Sequence, residues 1–174
     1  MEPGERRLGD GTITLGPPDE GDLDAIEMGL SDPDVVHFLG SSPGTAREVL
    51  ELNRTRARDG SPTFAIRDRA NRFLGLVWLN RSAADPASGA IGYWLLPSAR
   101  GQGHATRAVR ILVDHAIRDL GLRRLILVTE PGNTRSRAVA ERAGFEQLET
   151  RAGHGEIDGR SIDVVVYALP LGDA

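Results

Sequence analysis

The sequence predicts a single α/β (α+β) domain built on a mixed sheet. Three observations carry this. An apolar stretch at residues 89–96 stops at Pro97 and passes through a glycine turn into a long amphipathic run. A second apolar stretch, 124–129, leads into a shorter helical pattern capped at Asn133. Ahead of both, helical patterns come first and a hairpin meander follows, with no internal repeat or linker.

Taken in order, residues 12–15 alternate and form a first strand, ended by Pro17-Pro18-Asp19. Asp19 caps a helix that turns Leu23, Ile26 and Leu30 inward. Its outer face holds Glu20, Asp22, Asp24 and Glu27, which reads either as a solvated acidic surface or as one that steers a cationic acceptor. Asp32-Pro33 is a cap followed by proline at the first helical position, and the short helix 33–38 buries Val36 and Phe38 or their neighbours. Thr45-Ala-Arg-Glu48 is a capping box that opens a helix to about residue 59. Val49, Leu50 and Leu52 face the core there, while 53–59 is polar and exposed.

Strand 63–67 and a turn at 68–71 lead to strand 73–79, whose two apolar faces make it central. A loop covers 80–88 and strand 89–96 follows. Beyond the turn, Ala105, Ala108, Val109, Leu112, Val113, Ala116 and Leu120 share one face of a helix of about four turns. Asp114 and Arg118 make an i, i+4 pair on another face, and Gly121 caps the end. The run 124–129 reads as a buried parallel strand. The helix after Asn133 turns Ala138, Val139 and the stem of Arg142 inward and closes at Gly144. Two late strands, 146–151 and 161–169, are joined by a loop with three glycines. The domain spans 10–170, with flexible termini at 1–9 and 171–174.

Composition narrows the function. At 174 residues and 40% hydrophobic content the chain fills one sizeable core. A net charge of −4 argues against nucleic acid as a partner. No cysteine means no disulfide, no thiol nucleophile and no cysteine-based metal site; no metal is expected. Neither a signal peptide nor an apolar run of about 18 residues is seen, so a soluble cytoplasmic protein without a membrane role is expected. All basic residues are arginine.

The turn at 98–105 is the chemically informative stretch. A glycine-rich turn feeding a helix start presents unpaired N–H groups and partial positive charge, which suit phosphate. Gly101 and Gly103 let a pyrophosphate approach the backbone, and Arg100, Arg107 and Arg110 stand nearby. The plain alternative is a strand–turn–helix joint that binds nothing. A P-loop requires a lysine, which the chain lacks. A dinucleotide fingerprint requires a small residue where Thr106 stands and an acidic residue near 122–125, where Leu-Arg-Arg-Leu stands.

Arg100-Gly-Gln-Gly103-His-Ala105 does match the Arg/Gln-x-x-Gly-x-Gly/Ala acyl-CoA turn of the GNAT N-acetyltransferases at every fixed position. Asn133-Thr-Arg-Ser136 followed by Gly144-Phe145 resembles the signature of the Rim-type branch, which acetylates ribosomal-protein N-termini. The 12–15 strand, Asp32-Pro33, Gly92-Tyr-Trp94 and Asp163…Tyr167-Ala-Leu169 also look like that branch. The resemblance covers roughly 10–170. It implies a mostly antiparallel sheet splayed between strands 89–96 and 124–130, helices on both faces, and acetyl-CoA as co-substrate. The pantetheine would lie in the splay against backbone groups near Trp94, Leu95 and Leu96. The cofactor-binding set would be those three with Arg100, Gln102, Gly103, His104, Ala105, Thr106, Asn133 and Arg137. Asn133 reads as a helix cap, a pantetheine ligand, or both. Tyr93 and Trp94 read as core or as groove wall.

The implied chemistry is attack of an amine on a thioester. An α-amino group has a pKa near ~8, so part of it is already neutral at pH 7, and a base need only remove a proton late. A backbone N–H at a break in strand 89–96 would hold the oxyanion. The family's usual tyrosine acid is replaced here by Ala140. The resemblance offers Ser136 instead, whose other reading is a hydroxyl tidying a helix start. For the base, ungapped counting lands on Gly155, between His154 and Glu156; Glu156 is preferred, with His154 and Glu130 as alternatives. The acceptor is a protein N-terminus or a small amine such as an aminoglycoside, and a homodimer is compatible with the resemblance. The alternative is a non-catalytic acyl-CoA-binding sensor or regulatory module.

Overall fold

In the computed structural model, residues 7–39, 44–157 and 159–170 are described. Eight strands form one sheet in the order β1-β2-β3-β4-β5-β6-β8-β7. They are β1 (Leu8–Gly9), β2 (Ile13–Gly16), β3 (Thr63–Asp68), β4 (Phe73–Arg81), β5 (Ser88–Leu95), β6 (Arg124–Thr129), β7 (Glu146–Ile157) and β8 (Arg160–Ala168). The helices are α1 (Leu23–Leu30), α2 (Pro33–Leu39), α3 (Ala46–Arg58), α4 (His104–Arg118) and α5 (Thr134–Arg142). The pairing of β5 with β6 is parallel and the others are antiparallel. The α/β class and the mixed sheet read from the sequence are thus observed.

The two faces of the sheet carry separate cores. On one, α4 lays Ala105, Ala108, Val109, Leu112 and Ala116 over Phe64, Leu79, Ile91 and Leu127, joined by Ala140 of α5 and Phe145. On the other, Ile26 and Leu30 of α1, Val35 of α2 and Leu50 of α3 pack on Ala65, Leu76 and Trp94. The Trp94 indole lies so close to α1 that a Cβ at Gly29 would stand 2.3 Å from the ring. Glycine there permits the contact that seats α1 on the sheet.

Several local expectations are corrected. Asp22 is buried, not part of a solvated face: it meets the equally buried Arg67 at 2.5 Å while also accepting from the Asp19 amide. In α2 the inward residue is Val35, a neighbour the reading allowed, while Val36 and Phe38 themselves are 37% and 49% exposed. The Thr45 capping box forms as read, and Leu50 is buried, but Leu52 is exposed. Asn53 is buried because its side chain accepts from the Thr63 amide, tying α3 to the start of β3. Leu8–Gly9 pairs with β2, so ordered backbone reaches into the segment expected to be loose. Ala152–Ile157, expected as loop, continues β7, with a register shift between Arg151 and Gly155 taking up the glycines.

Breaking a buried ion pair from one side leaves an uncompensated charge, which costs about 3–5 kcal/mol. Asp22→Ala should therefore lower unfolding stability by about 3 kcal/mol, the low end because Asp19 lies 3.4 Å from the same guanidinium. Urea unfolding at neutral pH checks this, and an effect under about 1 kcal/mol would show the pair to be energetically silent.

Candidate active site

The site begins where β5 and β6 separate. They pair only at Ser88–Arg124, Gly89–Leu125 and Ala90–Ile126. Past that point β5 stays with β4 through Leu95 and β6 stays with β8 through Thr129. Leu96 N donates to Leu74 O, so alternation directs the peptide groups of Trp94 and Leu96 toward β4. Those of Tyr93, and the Leu95 amide, turn into the gap. Across it, Leu169 N donates to Leu125 O, which puts the peptide groups of Val128 toward the gap. Of the residues expected near the pantetheine, Leu95 turns its amide into the gap, Trp94 and Leu96 turn their peptide groups to β4, and the Trp94 side chain belongs to the α1 core. β5 pairs regularly with β4 through Leu95, so the amides come from the parting and not from a break in the strand.

The gap opens into a cleft of about 1070 Å³. Its floor is β5 and β6, one end is the turn Gly101–Thr106, and α5 and α2 flank it, with Gly155–Ile157 of β7 at the rim. Gly101 and Gly103 adopt φ of 74° and 78°, with open space where a Cβ would stand. Gln102 braces the turn through its side chain, which donates to Ser98 O. Helix α4 starts at His104, and the first bond of its ladder runs from Arg107 N to Gly103 O. The amides of Gly103, His104, Ala105 and Thr106 therefore have no partner within the helix. His104 adds a buried Nδ1 with no partner. Amides at a helix start, no side chain in the way and an orphaned imidazole nitrogen suit an anionic, phosphate-bearing ligand.

The arginines around the turn are arranged differently from expectation. Arg100 binds Asp32 at 2.7 Å and Asp34 at 2.9 Å, and its Nε donates to Leu95 O. Arg107 pairs with Asp10, and Arg110 reaches the Arg142 carbonyl. Arg137 donates to the Tyr167 hydroxyl and to Pro131 O on the β8 side of α5, away from the cleft. The face of α5 that does line the cleft carries Arg135, Ser136, Val139 and Arg142. The resemblance implies Arg137 near the nucleotide end, whereas the cleft lining on α5 includes Arg135 and Arg142 but not Arg137.

Asn133 accepts from the Ser136 amide through its side-chain oxygen, the cap read from the sequence, and also lines the cleft with its amide nitrogen uncommitted. Ser136 of α5 and Tyr93 of β5 line the same cleft. Burial pushes the Tyr93 phenol above its ordinary range, and the Ser136 hydroxyl only partly opposes this, so the phenol stays protonated. Tyr93 is a functional candidate that its apolar neighbours concealed in the sequence. Of the three base candidates, Glu130 is engaged by His37 of α2 at 3.1–3.2 Å. The His154 ring contacts Ala152 O and does not line the cleft. Glu156 lines the cleft at its rim. Among the described residues no cluster of three or more His, Asp or Glu is placed to hold a metal, and no helix is long and apolar enough to cross a membrane.

Split strands over a helix start define a cleft that offers free backbone amides to an extended, anionic ligand. The acetyltransferase (GNAT) domain family matches residues 12–146, and the chain belongs to that family. It is similar to the uncharacterized N-acetyltransferase p20 of Bacillus licheniformis, 26% identical across 85% of this chain and 86% of that protein. It is also similar to the ribosomal-protein-serine acetyltransferase of Escherichia coli (strain K12), 32% identical across 62% of this chain and 60% of that one. Among solved structures, Mycobacterium smegmatis RimJ in complex with CoA-disulfide aligns with a TM-score of 0.82 at 26% identity, covering 94% of this chain and 85% of that one. The chain is thus an acetyl-CoA-dependent acetyltransferase of the RimJ/RimL-like kind.

If the turn amides hold pyrophosphate, a carboxylate among them opposes the ligand by charge and bulk, and a side chain at φ 78° strains the turn. Gly103→Asp should weaken CoA binding at least tenfold in calorimetry while the far-ultraviolet spectrum stays native. Unchanged affinity would move the phosphates elsewhere.

Proposed function

We propose that the enzyme acetylates a primary amine, with the α-amino group of a protein as acceptor, by direct attack within a complex of protein, acetyl-CoA and amine. The parting of β5 and β6 is the observation that carries this, because it sets peptide groups, Ser136, Tyr93 and Glu156 around one cleft. The name of the Escherichia coli relative supports a protein acceptor.

The pyrophosphate lies on the amides of Gly103–Thr106, with Arg135 and Arg142 as the nearby cations. The pantetheine runs between Tyr93 and Val128, its amides bonding their peptide groups, with the Asn133 nitrogen as a further donor. The thioester carbonyl then meets a β5 amide on the gap side, where charge on the oxygen is stabilised as it develops. The amine nitrogen forms the new C–N bond, and its surplus proton passes to Glu156 directly or through one water. As the C–S bond breaks, the sulfur takes a proton from Ser136, which regains one from water in the open cleft while the proton on Glu156 returns to water. A thiol pKa of about 8.5 makes this a light task. Ser136 and Glu156 thus serve as acid and base, and the Tyr93 phenol in the same cleft stays protonated.

The test is acetyl transfer to a serine-starting peptide, followed by mass and by thiol release. Tight CoA binding without turnover would favour the sensing role instead. Glu156→Gln should cut kcat about 10²-fold with little change in acetyl-CoA affinity. Its remaining rate should rise with pH until the amine's own pKa of about 8, because only the neutral fraction attacks. Ser136→Ala should lower kcat about tenfold or more, and equal losses in kcat and CoA affinity would reduce it to a helix-start hydroxyl.

A further inference from the structure

The opening between β5 and β6 is blind at one end. The turn Gly101–Thr106 lies beyond the end of β5 at Leu95, and the last pair joining the two strands is Ala90–Ile126. A co-substrate anchored at the turn therefore runs back along β5 and ends where the strands rejoin. Alternation turns Ile91 and Leu127 into the α4 core and Gly92 and Val128 to the opposite face, just past that last pair. Val128 is 44% exposed, and Gly92 offers no side chain. The space over Gly92 belongs to Trp78 of β4, its direct partner in the β4–β5 register. A Cβ at Gly92 would stand 2.4 Å from two carbons of that indole and 2.6 Å from its Nε1. The Trp78 side chain packs on the core under α1, α2 and α3 and also lines the cleft.

We infer that Trp78 sets the length of acyl group the enzyme accepts, its indole being the wall that the acyl carbons meet where β5 and β6 rejoin. This rests on the proposed course of the pantetheine between Tyr93 and Val128, with the thioester carbonyl on a gap-side amide of β5. Of the β5 residues past the last pair whose peptide groups face the gap, Tyr93 is the nearer to the blind end. Acyl carbons beyond a carbonyl held there come beside Gly92 and under the indole. An acetyl methyl fits the room left by the missing Gly92 side chain. Each further methylene must displace a ring that is backed by the helices on its other side, and overpacking of that kind is unfavourable. One methylene more or less against an apolar wall changes discrimination by about tenfold or more. Val128 is a poor limit by comparison, because it faces open cleft. Gly92 and Trp78 form one device: the absent Cβ lets the ring lie across β5, and the ring closes the space that the glycine leaves.

Calorimetry with CoA, acetyl-CoA and butyryl-CoA, in the absence of any amine, reads this wall without turnover. The parent should bind butyryl-CoA about tenfold or more weakly than acetyl-CoA. Trp78→Ala should bring the two within about twofold of each other. Trp78→Phe, which keeps a ring against the helices, should narrow the ratio about threefold or more and serves if the alanine variant fails to fold. Affinity for CoA itself should stay within about twofold of the parent in both variants, because the phosphate turn is untouched. Emission supplies a second readout. The chain has two tryptophans, and Trp94 is seated in the α1 core, so the change in emission that acetyl-CoA causes beyond that of CoA should vanish in Trp78→Phe. A parent that binds acetyl-CoA and butyryl-CoA equally overturns the inference. So does a Trp78 variant that weakens all three ligands by the same factor, which would reduce the ring to a structural role. A parent that does not bind CoA defeats the inference together with the reading it rests on, whereas an unchanged acyl ratio with CoA bound defeats the inference alone.

Discussion

Everything functional in this fold depends on two neighbouring strands that stop bonding to each other. A central strand of a sheet normally satisfies its peptide groups on both sides, because a buried unpaired N–H or C=O is costly. β5 and β6 satisfy theirs together for three residue pairs only. Each then remains attached to its outer neighbour, so the sheet survives while its middle opens. The groups exposed in that opening have the spacing of a strand, and a ligand with amides of its own can bond them as an added strand would. The pantetheine arm has two such amides. The cleft is therefore a place where the fold leaves strand backbone groups without a neighbouring strand.

The rest of the site follows from what closes this opening. The strand β5 ends at Leu95, whose carbonyl accepts from Arg100, and the chain then turns into α4. The same guanidinium gathers Asp32 and Asp34 from the far side of the sheet. One residue thus links the strand end, the phosphate turn and the helix that walls the acceptor side. His37 on Glu130 joins α2 to the end of β6 in the same way. These pairs are partly exposed, so their worth to global stability is small; their effect is on where α2 sits and on which charges the cleft presents.

The sequence carried the fold where periodicity and punctuation agreed. The α4 stripe, the Thr45 capping box, the Asn133 cap and the turn glycines all stand as read, because each is set by local chemistry. What misled was phase and partnership. In α2, seven residues long, a phase shift of one residue turns the helix by about 100°, enough to bury Val35 and leave Val36 and Phe38 exposed. Arg137 is placed by family resemblance alone, and its bonds to Tyr167 and Pro131 lie on the β8 side of α5. Asp22 looked like surface because its partner, Arg67, lies 45 residues away on β3. β6 looked uniformly buried because apolar residues there serve two surroundings, the core at Leu127 and the open cleft at Val128. Tyr93 was ambiguous for the same reason, since burial in a groove and burial in a core use the same residue types.

The arginines decide between two ways of holding a pyrophosphate. Gripping it with side-chain cations would ask Arg100, Arg107 and Arg110 to be available, but all three are committed to protein partners. That leaves the main-chain amides of a turn whose shape two positive-φ glycines define, with Arg135 and Arg142 of the cleft lining, as the groups open to such a ligand. Amides held by the backbone are already ordered before binding, so little conformational entropy is lost when the ligand arrives. Arg100 instead holds Asp32 and Asp34 of α2 and the Leu95 carbonyl, so the arginine that completes the family's sequence pattern ties α2 to the end of β5.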